Sequence, residues 1–334
     1  MRIAVLGNEA AANSYYRALN PALELGKRGH AVLYDSGALP RLHDLRGCDA
    51  VIIYRNCMTE MQHAAEVLGE QGVGVIWDND DQMWDLHPRH SDYRRFGGLR
   101  GERVKAEMLR MVRLAHVVTT PSAWLAAQYE EAGGTVQIIE NHLPNEFVRV
   151  PRRAHEGLVL GWTAALEHQI DRDMLRLTDV FQRLLEAHPQ LRVTTIGIGL
   201  GMKHERYANV KVVDFPNLAQ ELAGLDIGIA PIVDITTNRA RSNCKVKEYA
   251  SVGVPWLASP IGPYRDLGER QGGRLVADGE WYEAIERLVV RERERRKLGK
   301  RAAKWAQSET VEKNIGRWEA AIGKAVERAR ASRG

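Results

Sequence analysis

Cysteine is scarce in this chain, with three in 334 residues: Cys48, Cys57 and Cys244. An odd, sparse set without metal-ligand spacing argues against a disulfide framework and points to a reducing compartment. Long apolar runs are missing as well. No stretch approaches the roughly 20 residues a membrane-spanning helix needs. The opening MRIAVLGNEAAANSYY carries one basic residue, and its apolar run stops at Gly7. It reads as a strand, not a secretory leader. The expectation is a cytoplasmic protein, at most peripheral to a membrane. Charge excess is small, at +4 from 47 Lys and Arg against 43 Asp and Glu. Composition alone therefore demands no polyanionic partner.

What is present suits a globular chain rather than a disordered one. Hydrophobic residues make up 44% and charged ones 27%, and 334 residues exceed one small core. Short apolar runs at Arg2–Leu6, Ala31–Tyr34, Ala50–Tyr54, Gly74–Trp77, Val117–Thr119 and Val136–Ile139 alternate with helical stretches. The first helical stretch holds Pro21, so a regular helix is expected to begin at Asn20-Pro21, as cap and first residue. Residues 141–153 are polar and non-periodic and read as a linker. The alternation then restarts with strands expected at Leu158–Gly161, Arg192–Ile196, Val210–Val213, Ile227–Ala230, Pro255–Ala258 and Arg274–Val276. Asp171–Ala187 reads as one helix with Met174, Leu177, Phe181 and Leu184 on its apolar face. The last helix puts Ile315, Trp318, Ile322, Ala325 and Ala329 on one face and should pack on something. Strands alternating with helices imply parallel, doubly wound sheets. The expected division is 1–150, 151–308 and a C-terminal helix, 309–334, crossing back to the first domain. Two facing sheets leave a cleft between their strand ends.

The stretch with most chemistry is Arg241–Ser259, RSNCKVKEYASVGVPWLAS. Ser242 or Asn243 is a suitable helix N-cap. Lys245 and Glu248, three apart, share a helix face. A cation, a carboxylate and free N–H groups at a helix start suit a ligand with a phosphate end and a hydroxyl-rich end, such as a nucleotide. An exposed ion pair on an ordinary helix has the same pattern.

With these residues on the page, the chain resembles the GT-B glycosyltransferases, specifically their large retaining family-4 group. The resemblance rests on Ser242, Lys245, Glu248, Tyr249, Ala250, Gly253, Pro255, Ala258 and Ser259, with Trp256 where a small apolar residue is usual. Asp226–Pro231 upstream, Tyr16-Arg17, Pro21-Ala22, Leu25 and Gly29-His30 also fit, as do the Trp77–Asp81 and Gly161–Thr163 stretches. The resemblance implies two Rossmann-like domains and transfer of a sugar from a nucleotide-sugar co-substrate, with no resident metal. It implies that Glu248 takes the ribose hydroxyls and that Lys245, with backbone N–H groups from Ser242 to Cys244, neutralises the diphosphate. Asn243, Arg241 and Thr163 would join this donor site, and the Gly7-Asn8 loop would approach the phosphates. Two usual groups are absent. The sugar-contacting glutamate position is Ala240, with Asp234 as a nearby substitute. An arginine early in the second domain is replaced by Ala164 or Ala165, with Arg239, Arg241 or Lys247 available to compensate.

Asp78-Asn79-Asp80-Asp81 ends the fourth strand. A hard metal would accept such a cluster, but caps and turns use it too. Asp80 or Asp81 is the expected group for orienting, or taking the proton from, an acceptor hydroxyl. Residues 89–113 hold eight Lys or Arg and three acids, with Tyr93 and Phe96 among them. Tyr93, Arg94 and Arg95 would face an anionic acceptor (glycan, lipid, protein or nucleic acid), unless the segment is simply solvated. His142 and His168 read as structural or exposed rather than catalytic. An epimerase of nucleotide sugars, a nucleotide-binding subunit without turnover and a nucleic-acid binder are the alternatives.

Overall fold

The computed structural model describes residues 1–8, 13–37, 42–211 and 213–332. Six strands form a first sheet: β1 (Arg2–Leu6), β2 (Ala31–Asp35), β3 (Ala50–Tyr54), β4 (Gly74–Asp78), β5 (Val117–Thr120) and β6 (Val136–Ile138). They lie in the order β2-β1-β3-β4-β5-β6, all parallel. A second sheet contains β7 (Leu158–Ala164), β8 (Leu191–Gly197), β9 (Tyr207–Val210), β10 (Ile227–Ala230), β11 (Trp256–Ala258) and β12 (Gly273–Leu275). Its order is β12-β11-β10-β7-β8-β9, again all parallel. Helices cover both faces, so central strands are buried on both sides and read as unbroken apolar runs. Strands β3 and β4 are buried at every residue. Strand order reverses between β1 and β3, and between β7 and β10. Ligands of such sheets bind at the carboxyl ends beside that reversal.

Several details differ from the sequence reading. Asn20 is the first residue of helix Asn20–Lys27, not its cap, because a π-helical turn, Tyr15–Leu19, runs straight into it. The expected helix from Asp171 is two, Gln169–Met174 and Leu177–Ala187, broken by Arg176 in the left-handed region (φ 51°). Met174 is consequently exposed, while Leu177, Phe181 and Leu184 are buried. The strand expected from Val210 ends there instead, and Val212 lies outside the described residues.

The chain passes between the halves twice. Helix Gly316–Ala331 packs on β4, with Ile315, Trp318 and Ile322 in the apolar cluster of Ile3, Val5, Ile52 and Ile76. Gly74 permits the approach, since a β-carbon there would sit 2.7 Å from the Val326 amide nitrogen. The two crossings meet where Leu143 pairs with Thr310. Among the described residues no helix is long and apolar enough to cross a membrane.

Candidate active site

The expected motif helix runs Cys244–Ser251 and leads through Gly253 (φ 71°) into β11. Asn243 occupies the cap position, yet neither it nor Ser242 caps the helix. Their side chains reach the first crossing instead: Asn141 Nδ2 donates to Ser242 Oγ at 3.0 Å, and Asn243 Nδ2 donates to Glu140 Oε2 at 3.2 Å. Among the described residues, no side chain caps the first-turn N–H groups, as an anion site requires.

Tyr249 fixes this helix at the strand-order reversal. Its hydroxyl accepts from Thr163 N and donates to Ile229 O, both at 2.9 Å, bridging β7 and β10. Glycine at 228 makes room, because a β-carbon there would meet the Tyr249 ring at 2.5 Å. Lys245 Nζ donates to Thr163 O at 2.5 Å, which brings the expected phosphate cation to the end of β7. Glu248 is buried to 7% exposure, and its Oε1 accepts from Tyr16 Oη at 2.7 Å. Burial and the neighbouring Glu248 push the Tyr16 phenol well up, so it is the donor in that bond. Glu248 Oε2 takes no hydrogen bond from another described residue. Tyr15 and Tyr16 also pack on Phe215 of the second half, at 4.6 and 4.9 Å between centroids.

The other expected donor groups divide. Arg241 Nε donates to Asn238 Oδ1 at 2.8 Å, and its guanidinium lies 3.6 Å from Glu167. Burial disfavours the Glu167 charge, but Arg241 above all holds its carboxyl down at about 2. Lys247 is fully buried and bonded to Glu140 (2.6 Å), Glu309 (2.7 Å) and Asn141 O (3.1 Å). It clasps the two crossings together and is not free for a ligand. Asp234 is exposed and doubly bonded to Arg239, at 2.6 and 2.9 Å. Among the described residues, no hydrogen bond or ion pair ties that pair to the Lys245–Glu248 face. Ala240 is buried in the apolar cluster of the first half, beside residues such as Trp77 and Trp84. Gly7 and Asn8 follow β1; Gly7 N donates to Asp35 O, and Asn8 N donates to Ser14 Oγ. Residues 9–12 lie outside the described residues. Cys244 has its thiol pushed up to about 11 by burial, so it is no thiolate nucleophile.

Asp78, Asp80 and Asp81 sit at the carboxyl end of β4 with different partners. Asp78 is fully buried against Arg17, which donates from Nε at 3.0 Å and from Nη2 at 2.5 Å. Arg17 also donates to Ile139 O and Asn141 Oδ1, and its guanidinium lies 5.0 Å from the Trp318 ring. Asp78 is structural: it anchors the first crossing and the last helix. Asp80 is buried at 5% exposure, and its Oδ1 accepts from Tyr54 Oη at 3.0 Å and from Arg55 Nε at 2.5 Å. Asp81 has a side chain 34% exposed, 3.4 Å from Arg55. Burial raises its carboxyl pKa, against the pull of Arg55 and Arg241. Among the described residues, no group of three potential ligands is arranged to hold a metal.

Tyr93, Arg94 and Arg95 belong to a single turn, Tyr93–Phe96, followed by Leu99 at 91% exposure. Arg94 and Arg95 are exposed, and the Arg95 guanidinium stacks 4.7 Å from the Phe96 ring. Arg89 bridges to Asp173 of the second half at 3.1 Å. Sequence reasoning missed Tyr16 and Arg55 as site groups. Arg55 has a left-handed backbone (φ 59°), unusual for a non-glycine and common at functional sites, but no local sequence pattern announces it.

No family profile matches the chain, and no curated protein matches it in sequence. Its fold does match solved structures. HepE from Anabaena, in complex with UDP and glucose, is 13% identical over 96% of this chain and 98% of its own, with a TM-score of 0.66. An alpha-glucosyltransferase in complex with UDP-glucose and DNA containing an abasic site is 12% identical over 97% and 99%, TM-score 0.66. A putative UDP-N-acetylglucosamine 2-epimerase from Listeria monocytogenes is 12% identical over 97% and 96%, TM-score 0.58. With two six-stranded parallel sheets joined by two crossings, the chain has the GT-B fold of these proteins.

Proposed function

We propose that this protein is a glycosyltransferase that moves a sugar from a nucleotide-sugar donor to an acceptor hydroxyl. The carrying observation is the pairing of Lys245, at the end of β7, with Glu248, one turn further along the same helix and facing Tyr16 of the other half. Glu248 Oε2 is free to accept from the ribose. Lys245, Arg241 and the uncapped helix amides take the diphosphate. Similarity to HepE and to the alpha-glucosyltransferase, whose structures hold UDP with glucose or UDP-glucose, supports a uridine nucleotide and glucose as the first donor to try.

In the reaction the bond from the anomeric carbon to the phosphate oxygen breaks and a bond to the acceptor oxygen forms. The leaving diphosphate gains charge beside Lys245 and Arg241, which stabilise it more than the ground state. The acceptor proton passes to Asp81, the partly open carboxylate of the β4 end, whereas Asp80 is held by Tyr54 and Arg55. The exposed Tyr93–Arg95 turn suits an anionic acceptor. The DNA bound by the alpha-glucosyltransferase makes duplex DNA one acceptor probe, with salt-dependent binding as the sign of phosphate contact.

A nucleotide-binding subunit without turnover is the second reading, favoured by the burial of Ala240 where the resemblance puts a sugar-contacting carboxylate. Incubation with UDP-glucose, GDP-mannose, ADP-glucose and dTDP-glucose, with and without DNA or lipid acceptors, tests the proposal by mass spectrometry. Release of diphosphate with glycosylated or hydrolysed sugar supports transfer. Free epimerised nucleotide sugar or free epimer would mean an epimerase, and binding without any turnover the second reading.

A further inference from the structure

His168 sits on the turn that follows β7, Leu166–His168, and is buried at 4% exposure. Its Nδ1 is 2.7 Å from Asp171 Oδ2. Asp171 is fully buried, and its other oxygen accepts from Val233 N and from Asn238 Nδ2, each at 2.8 Å. Val233 N and Asn238 Nδ2 are both donors, and a carboxylate oxygen facing an imidazole is best matched by Nδ1–H, which puts the His168 proton on Nδ1. Nε2 is then a bare lone pair. It makes no hydrogen bond to another described residue, and it is not among the polar atoms sealed from solvent. Burial, Arg241 and Lys245 all disfavour the imidazolium, with Asp171 opposing them.

The cluster also holds the short helix that precedes Ala240. Asn238, held by Asp171, belongs to the short helix Thr236–Arg239 that leads directly to Ala240. Ala240 itself is packed in the core of the first half, which leaves no carboxylate there. Thr163, whose carbonyl holds Lys245, has a buried hydroxyl without a partner on the same strand end.

We propose that His168 Nε2 accepts a hydrogen bond from a hydroxyl of the donor's sugar. A phosphate at neutral pH offers acceptors to this site, which Lys245 and Arg241 match and a lone pair does not. The sugar bonded to that phosphate offers hydroxyl donors. The inference rests on the donor reading above and adds which side chain reads the sugar.

Two substitutions separate contact from scaffolding. Asparagine imitates Nδ1–H, so His168→Asn keeps a donor to Asp171 and removes Nε2. Glutamine imitates the Nε2 position, so His168→Gln keeps an acceptor there. Calorimetric titration with UDP-glucose and with UDP, and likewise with GDP-mannose and GDP, reads each variant. For whichever pair binds the wild type, His168→Asn is expected to weaken the sugar nucleotide by about tenfold, with the bare diphosphate unchanged. His168→Gln should recover part of that loss. Equal weakening of both ligands by His168→Asn, or no weakening of either, overturns the role of His168 while leaving the donor site standing. A wild type that binds none of these four ligands, nor ADP-glucose or dTDP-glucose, overturns the donor reading and this inference with it.

Discussion

Tyr16 Oη donates to Glu248 Oε1 at 2.7 Å, joining the π-helical turn of the first half to the motif helix of the second. One carboxylate oxygen is thereby fixed and the other is left to meet a ligand. Tyr16→Phe removes the bond without removing the ring that packs on Phe215. The expected outcome is a three- to tenfold weaker nucleotide affinity, from roughly 1 kcal/mol of lost orientation. Tighter binding by Tyr16→Phe in the same titration would mean that the tyrosine competes with the ribose.

Arg17 and Asp78 form a pair with no exposure on either side chain. Replacing Arg17 by leucine strands the Asp78 carboxylate in the core and cuts the tie to Ile139 and Asn141. Loss of one partner from such a buried pair costs about 3–5 kcal/mol. Urea unfolding should show that loss in the midpoint of Arg17→Leu. A loss below about 1 kcal/mol would show that the pair is not what anchors the crossing.

His142 gives a pH signature. Both ring nitrogens are buried without a hydrogen bond, and Glu309 Oε2 lies 3.8 Å from Nδ1. Burial, then Lys247, lowers its pKa from the ordinary 6.5 to about 3. Between those values the unfolded chain binds a proton that the folded chain refuses. Stability therefore falls as pH falls through that window and is fully present above about 6.5. Melting temperatures from pH 7 to pH 4.5 should drop more steeply for the wild type than for His142→Gln. Parallel slopes would count against a neutral buried imidazole.

Much of the scaffold is legible in the sequence because parallel strands buried on both faces read as apolar runs. The starts and ends of β3 and β10 are visible residue by residue in AVIIY and IGIA. The break at Arg176 is not, since an arginine in the left-handed region has no local signature. The helix carrying Lys245 and Glu248 is legible from the spacing of its own residues. What faces it is not: Tyr16 lies 232 positions away from Glu248, and only the fold brings them together. Lys247 shows the same limit. Its spacing makes it look like a ligand-facing cation, yet packing turns it into the clasp between Glu140 and Glu309. In the sequence His168 reads as structural or exposed, because Asp171, three positions on, acquires its meaning only from contacts with Val233 and Asn238.

The most direct test of a nucleotide site on the motif helix is a calorimetric titration of wild type and Glu248→Ala with UDP-glucose and UDP, extended to the guanine, adenine and thymidine equivalents. Lost contact with two ribose hydroxyls predicts at least a tenfold drop in affinity for nucleotide and nucleotide sugar alike, from about 1.5–3 kcal/mol for hydrogen bonds to a charged group. Affinity unchanged by Glu248→Ala would contradict the account.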